Sequence, residues 1–323
     1  MMKLVLDNLT SNRIHDLEKS ADDKIHIRGY NPKHDVPVDF RNSDWFVPFN
    51  HIPIKYCPTD RYSYLHKYDA GAKRQQTWAS LSGKILDNAY DQFIKKLHEY
   101  LNSTTLKNAD IMNDFQSYRS DFIKNATSLI ETEKTNIINF PDGTTIKKFN
   151  MLLEQTLRYE TQMASALLDY RISITKDMNI KSMPLILFPF VPKPSYTVSS
   201  FGITDSAQPD FLFNNKIIID VKSPPWKEEY LNTLGGYALV YEKMNNQPMN
   251  LGMIVTPEFA SNRKVPHFFN SEVILIEDRY RNAFLLRRQN LLEQMKSKKD
   301  PGKPDSDEKC KSCTYFNHCW PSS

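Results

Sequence analysis

The sequence predicts an α/β protein: a mainly helical N-terminal half, a mixed-sheet core behind it, and a closing cysteine-bearing segment. Three observations carry that expectation. Two long stretches before residue 180 repeat apolar residues at helical spacing without a proline. From Pro184 to Pro257 the chain turns to short β-prone runs separated by turn residues. Three of the four cysteines fall between Cys310 and Cys319. Strands alternating with helices favour an α/β core. The expected units are residues 1–180, 181–300 and 301–323.

Residues 1–50 read as irregular, with scattered short elements. A helix is expected over 75–101, with Trp78, Leu81, Ile85, Phe93, Ile94 and Leu97 on its apolar face. A more polar helix covers 106–139, and Pro141-Asp142-Gly143 marks a turn. The next helix, 147–175, sets Phe149, Leu152, Leu153, Leu157, Met163, Leu167 and Leu168 on one face. Strands are expected at 185–191, 196–200, 211–213, 217–221, 251–255 and 273–276. Helices are expected at 227–245 and 281–299, and 301–308 reads as a charged linker.

Bulk properties exclude several classes. Hydrophobic residues are 40% and charged residues 25% of the 323, as in an ordinary soluble globular protein. A net charge of +4 provides no global field for nucleic acid, so such contacts must be local. With nine glycines, the chain contains neither a Walker A nor a G-x-G-x-x-G loop. Met1 to Asp16 lacks a signal-peptide core, and Met183 to Val191 is too short to span a bilayer. The expectation is a soluble, cytoplasmic protein with no membrane partner.

The segment Pro209-Asp210-Phe-Leu-Phe-Asn214-Asn215-Lys-Ile-Ile-Ile-Asp220-Val-Lys222 carries chemistry. Asn214-Asn215 can take the left-handed conformations of a tight hairpin. Folding about that pair sets Asp210 opposite Ile219, beside Asp220, and strand alternation places Asp220 and Lys222 on one face. Paired carboxylates suit Mg²⁺ or Mn²⁺. Such a metal activates water and neutralises a scissile phosphate, while a lysine steadies developing charge. An Asp220–Lys222 surface salt bridge is the plainer reading, but Asp220 interrupts an otherwise apolar strand, where an unpaired charge is expensive.

The second constellation is Cys310-x2-Cys313-x5-Cys319, with Cys57 far upstream in Tyr56-Cys57-Pro58-Thr59-Asp60-Arg61. Four thiolates suit an iron–sulfur cluster or tetrahedral zinc. In a reducing compartment metal ligation is favoured over disulfides.

Together the two constellations resemble the PD-(D/E)xK nuclease superfamily, in its iron–sulfur, RecB-like branch. There one cysteine precedes the nuclease core and three follow it. Size and order resemble the fourth CRISPR-associated (Cas) protein family, and Arg28-Gly29-Tyr30 with the Tyr56–Arg61 stretch resembles its archaeal variant found with type I-A systems. The resemblance covers about 50–100 and 195–323. It implies a restriction-endonuclease-like mixed sheet and a 4Fe–4S cluster on Cys57, Cys310, Cys313 and Cys319. It also implies a Mg²⁺- or Mn²⁺-dependent exonuclease acting on single-stranded or end-frayed DNA before spacer integration, with the CRISPR integrase complex as partner. Asp210 and Asp220 are the implied metal ligands, and Asp210, Asp220, Lys222 and Tyr237 the catalytic set.

Two positions depart from the family pattern. Asp87, four residues after Gly83, stands where a metal-binding histidine is usual, and it is carried as a third metal ligand. Thr233-Leu-Gly-Gly-Tyr237 stands for Q-x3-Y, and threonine cannot offer both an amide donor and a carbonyl acceptor. These departures motivate alternatives: a catalytically weak DNA-end-binding subunit of the CRISPR adaptation complex, a zinc-stabilised nuclease, or a helicase-associated iron–sulfur nuclease module. Arg279, Arg281, Arg287, Arg288, Lys296, Lys298 and Lys299 are candidate phosphate contacts, and Tyr237 a candidate base-stacking ring.

Overall fold

The computed structural model describes residues 12–29, 31, 43–104, 110–138, 140–174, 188–197, 199–204, 206–223, 225–259, 266–269, 272–311 and 313–321. Part of the strand expected at 185–191 (residues 185–187) lies outside them, as does Tyr30.

The N-terminal part is helical. Short helices α1 (Arg13–Lys19) and α2 (Arg61–Tyr68) precede three long ones: α3 (Trp78–Ser103), α4 (Ile111–Glu133) and α5 (Gly143–Ile174). The threonine before α3 caps it, Thr77 Oγ1 accepting from Ser80 N at 3.2 Å. Asp110 does the same for α4 through Asn113 N at 3.1 Å. The polar look of α4 has a simple cause: only a narrow stripe, Ile111, Phe115, Phe122, Ala126 and Ile130, is buried. Strands β1 (Gln76–Thr77) and β2 (Ile137–Ile138) pair in parallel beside these helices.

A six-stranded mixed sheet follows, made of β3 (Phe190–Pro192), β4 (Phe211–Phe213), β5 (Ile217–Val221), β6 (Leu251–Phe259), β7 (Pro266–Phe269) and β8 (Ile274–Leu275). β5 and β6 are parallel, and the other pairings are antiparallel. Their crossover is α6 (Tyr230–Asn245), and α7 (Asp278–Ser297) follows β8. Among the described residues of 196–200 no strand forms. Tyr196 makes a lone bridge to Ala207, and Ser199–Phe201 forms a 3-10 turn. Pro192 and Pro194 remove ladder donors just ahead of it.

Strand alternation divides the core. Ile217, Ile219 and Val221 pack with α3–α5, while Leu212, Ile218 and Ile254 pack with α6 and α7. One apolar cluster therefore joins the long helices before residue 180 to the sheet after it. On the other face α6 approaches α7 closely. A Cβ at Gly235 would sit 2.6 Å from the Tyr280 backbone carbonyl, so only glycine fits there.

Three of the basic residues expected to meet phosphate, Arg281, Arg287 and Arg288, are held by partners within the chain, whereas Arg279 and Lys296 stay exposed. Arg281 is fully buried, donating to Glu242 Oε1 and Met249 O at 2.7 Å each. Arg288 is buried with its guanidinium over the Phe201 ring, and Arg287 pairs with Asp60 at 2.5 Å. Arg279 pairs with Glu277, and Lys296 lies over Trp45. Lys298 and Lys299 are exposed. Among the described residues no helix is long and apolar enough to cross a membrane.

Candidate active site and cysteine clasp

The β4–β5 hairpin turns through Asn214 and Asn215, at φ 50° and 54°, with Lys216 N donating to Phe213 O at 3.0 Å. Phe213 pairs with Ile217, so Lys216 is an extra turn residue. The two-residue fold expected from the asparagines is thus one residue short. Phe211 pairs with Ile219, and continuing that register sets Asp210 across from Asp220, not Ile219. Lys193 N donates to Asp210 O at 2.8 Å, and Val221 N donates to Asp210 Oδ2 at 2.7 Å, fixing the carboxylate.

Asp220 is 2% exposed and ion-pairs with Lys222 Nζ at 2.7 Å. Buried removal of either partner would strand a charge, so the pair is held together. Helix α3 adds the third carboxylate. A Cβ added at its Gly83 would lie 3.9 Å from Ser223 Oγ, and Asp87 lies one turn on along the same face. The sequence-predicted Asp87, Asp210, Asp220 and Lys222 therefore meet at the C-terminal end of β5.

The electrostatics match that crowding. Burial, then the charges of Asp220 and Asp87, raise Asp210 well above the usual carboxylate range. Burial likewise pushes Asp87 up to about 6, with Asp220 adding to the effect and Lys222 and Lys193 opposing it. Burial would lower Lys222, but Asp220 and Asp210 outweigh it and keep the ammonium charged. Without a bound cation, three carboxylates here share too little positive charge.

Tyr237 faces this cluster from α6. It is 6% exposed, stacks on Phe49 at 4.6 Å, and donates to Gln208 O at 3.1 Å. Burial, then the Asp220, Asp210 and Asp87 charges, raise its hydroxyl well above its usual range. Its ring is therefore occupied, and it does not offer a face to an unpaired base as expected. Thr233, one turn before it, is buried and its Oγ1 has no hydrogen-bond partner.

Sequence reasoning missed two neighbours. Lys193 has the left-handed φ of 45° and reaches Asp91 Oδ2 at 3.7 Å, beside Asp87 on α3. Tyr56 is 46% exposed and lies within electrostatic reach of Lys222 and Asp220. Neither is near the motif in sequence; the only local signal was Tyr56's position next to Cys57.

Three of the four cysteines share one small cluster, and Cys310 lies within electrostatic reach of Cys57 and Cys319. Cys57 packs with Tyr62, Leu65 and Tyr315, and Cys313 and Cys319 lie against them. Burial, then the other thiols, push Cys313 up to about 11, and Cys310 and Cys319 are raised as well. The chain is tied here by more than sulfur. Thr59 Oγ1 donates to Gly302 O at 2.7 Å, Gln75 N to Thr314 O at 2.9 Å, and Arg61 pairs with Asp300 at 2.8 Å. Among the described residues no group of three or more His, Cys, Asp or Glu stands at ligating geometry for a metal ion.

Comparison places the chain. A search of curated proteins and one of solved structures return no match. The sequence model described as CRISPR-associated exonuclease Csa1 matches residues 2–321. Spanning nearly the whole chain, that match establishes that it belongs to the CRISPR-associated exonuclease Csa1 family.

Proposed function

We propose that this chain is a metal-dependent DNA exonuclease that trims single-stranded or frayed ends before spacer integration in CRISPR adaptation. Family membership supports a CRISPR-linked nuclease. The observation that carries the finer reading is the meeting of Asp87, Asp210 and Asp220 around one ammonium at the end of β5. On this reading residues 181–300 are a restriction-endonuclease-like PD-(D/E)xK core, 1–180 a helical region carrying Asp87 and Cys57, and 301–323 the cluster segment.

The donor types suit the implied groups in chemistry, although among the described residues neither set stands at ligating geometry. Three carboxylates with too few cations are hard oxygen donors for Mg²⁺ or Mn²⁺. Burial, then neighbouring sulfur, raises the Cys310, Cys313 and Cys319 thiols, so they would need positive charge to ionise, as a 4Fe–4S cluster on Cys57, Cys310, Cys313 and Cys319 would supply. The divalent ion, when bound, activates water and neutralises phosphate charge. The chain's own residues do the positioning. The Val221 amide orients Asp210, and Asp220 holds Lys222, which stays charged and faces developing negative charge on the phosphate. Tyr237 walls the site with its hydroxyl fixed on Gln208. A cluster held by these cysteines would tie the Cys57 segment to the C-terminal segment, closing a long loop. DNA is the substrate and the CRISPR integrase complex the proposed partner.

The test is cleavage of end-labelled single-stranded DNA with Mn²⁺. Lys222→Ala is expected to lose about 100-fold or more of the rate while still binding DNA. Equal degradation by wild type and Lys222→Ala would sink the assignment. A second reading, a catalytically weak end-binding subunit, draws on the burial of Thr233 where a polar amide is usual. Binding of ends without cleavage by either protein would favour it.

A further inference from the structure

We infer that Tyr56 is the platform on which an unpaired nucleobase stacks as its strand enters the acidic site. Among the described residues Tyr56 is one of two large aromatic side chains left exposed, at 46%. Its neighbour Lys55 is also exposed, whereas Cys57 on the other side is buried. An exposed ring beside a cation is the combination that holds single strands, because every base has a π-face and every linkage a negative charge.

The position is as informative as the exposure. Burial acts first on the Tyr56 hydroxyl and the charges of Lys222 and Asp220 reach it, so its hydroxyl end lies toward the acidic residues while part of the side chain stays open to solvent. Its other face is backed. Tyr62 lies 5.4 Å away, tilted by 36°, and Tyr62 meets Tyr315 edge-on at 5.3 Å and His51 at 4.9 Å. Tyr315 and Tyr62 pack with Cys57, Cys313 and Cys319. The cysteine clasp therefore braces the ring that faces DNA. A base on Tyr56 must be unpaired, which accounts for a preference for single strands or frayed ends. The inference rests on the nuclease reading of the acidic cluster, which it deepens.

The experiment uses the full-length protein in Ca²⁺ or EDTA, so that binding is read without cleavage. The probe is a single-stranded oligodeoxythymidylate carrying 2-aminopurine near one end, with a blunt duplex of the same strand as control. Wild type and Tyr56→Phe are expected to quench the fluorophore and bind alike. Tyr56→Leu is expected to lose the quench and to bind the single strand about tenfold or more weakly, with duplex affinity unchanged. Circular dichroism melting of all variants checks that they fold, and Tyr56→Phe keeps the test valid if Tyr56→Leu does not. Unchanged quench and affinity in a folded Tyr56→Leu would overturn the inference, as would an equal loss on duplex, or loss of quench in a folded Tyr56→Phe. Lys222→Ala separates the two claims: it should quench as wild type does but not cleave in Mn²⁺. Cleavage by Lys222→Ala at the wild-type rate would remove the nuclease reading, whereas failure at Tyr56 alone would leave that reading standing.

Discussion

Replacing Asp87 by asparagine should stabilise the metal-free protein, and the gain should depend on pH. The Asp87 carboxyl is moved from 3.8 to about 6 in the folded chain, burial being the largest cause. The sign follows from linkage. Between those values the folded state holds more protons than the unfolded one, so stability falls as pH rises through that window. Above about pH 6 the loss is complete, and it amounts to about 2–3 kcal/mol, allowing for partial solvent contact. At pH 4 the same arithmetic leaves only about 0.5 kcal/mol. For 323 residues the unfolding entropy is on the order of 0.7 kcal/mol/K, so Asp87→Asn should melt about 3–5 °C above wild type at pH 7.5. Circular dichroism melting in EDTA at several pH values measures it. Saturating Mn²⁺ should shrink or reverse the gap, because wild type then gains more from binding. Equal or lower melting of Asp87→Asn at pH 7.5, or a gap that is the same at pH 4.5, would refute the reasoning.

Further outcomes follow from the same structure. Cys57→Ser and Cys313→Ser should each lose bound iron on anaerobic purification, read by elemental analysis; stoichiometric zinc in wild type would replace the cluster by a zinc site. Arg281→Ala should destabilise the fold by about 3–5 kcal/mol, read as a lower urea midpoint, because the buried Glu242 would keep only the more distant Arg28, at 3.3 Å, as its charged partner. A wild-type midpoint with weaker DNA binding would make Arg281 a phosphate contact instead. Lys193→Ala should move the acid limb of the cleavage pH profile upward, since Lys193 opposes the rise at Asp87; an unmoved limb would show that Lys193 has no influence on the site.

Much of the arrangement was legible because it is local. Strands 211–213 and 217–221 fall where β-prone runs lie between turn residues, and the long helices follow their apolar periods. The convergence of Asp210, Asp220 and Lys222 needs only a hairpin and a period of two. What escaped was set by one extra residue or by distant packing. Lys216 is ordinary in composition, yet it moves the hairpin register by one place. Arg281 and Arg288 were read as surface charge from their type, although they share a helix face with Phe284, Leu291, Leu292 and Met295. That spacing was the available signal, and it outweighs residue type. Tyr56 and Lys193 reach the site only through contacts between segments far apart in the chain, which no local pattern encodes.

The turn Asn214-Asn215-Lys216 has a consequence out of proportion to its place. It lies at the far end of the hairpin from the carboxylates and touches none of them in sequence. Surface turns ordinarily gain and lose residues at little penalty. Here a single deletion would slide β4 one place along β5, and the two-residue period would swing Asp210 to the opposite face of the sheet. The turn is in effect a gauge that sets how far one carboxylate travels toward another. Selection for chemistry at the mouth of the site is thereby felt as selection on length, not identity, at a loop where no chemistry occurs.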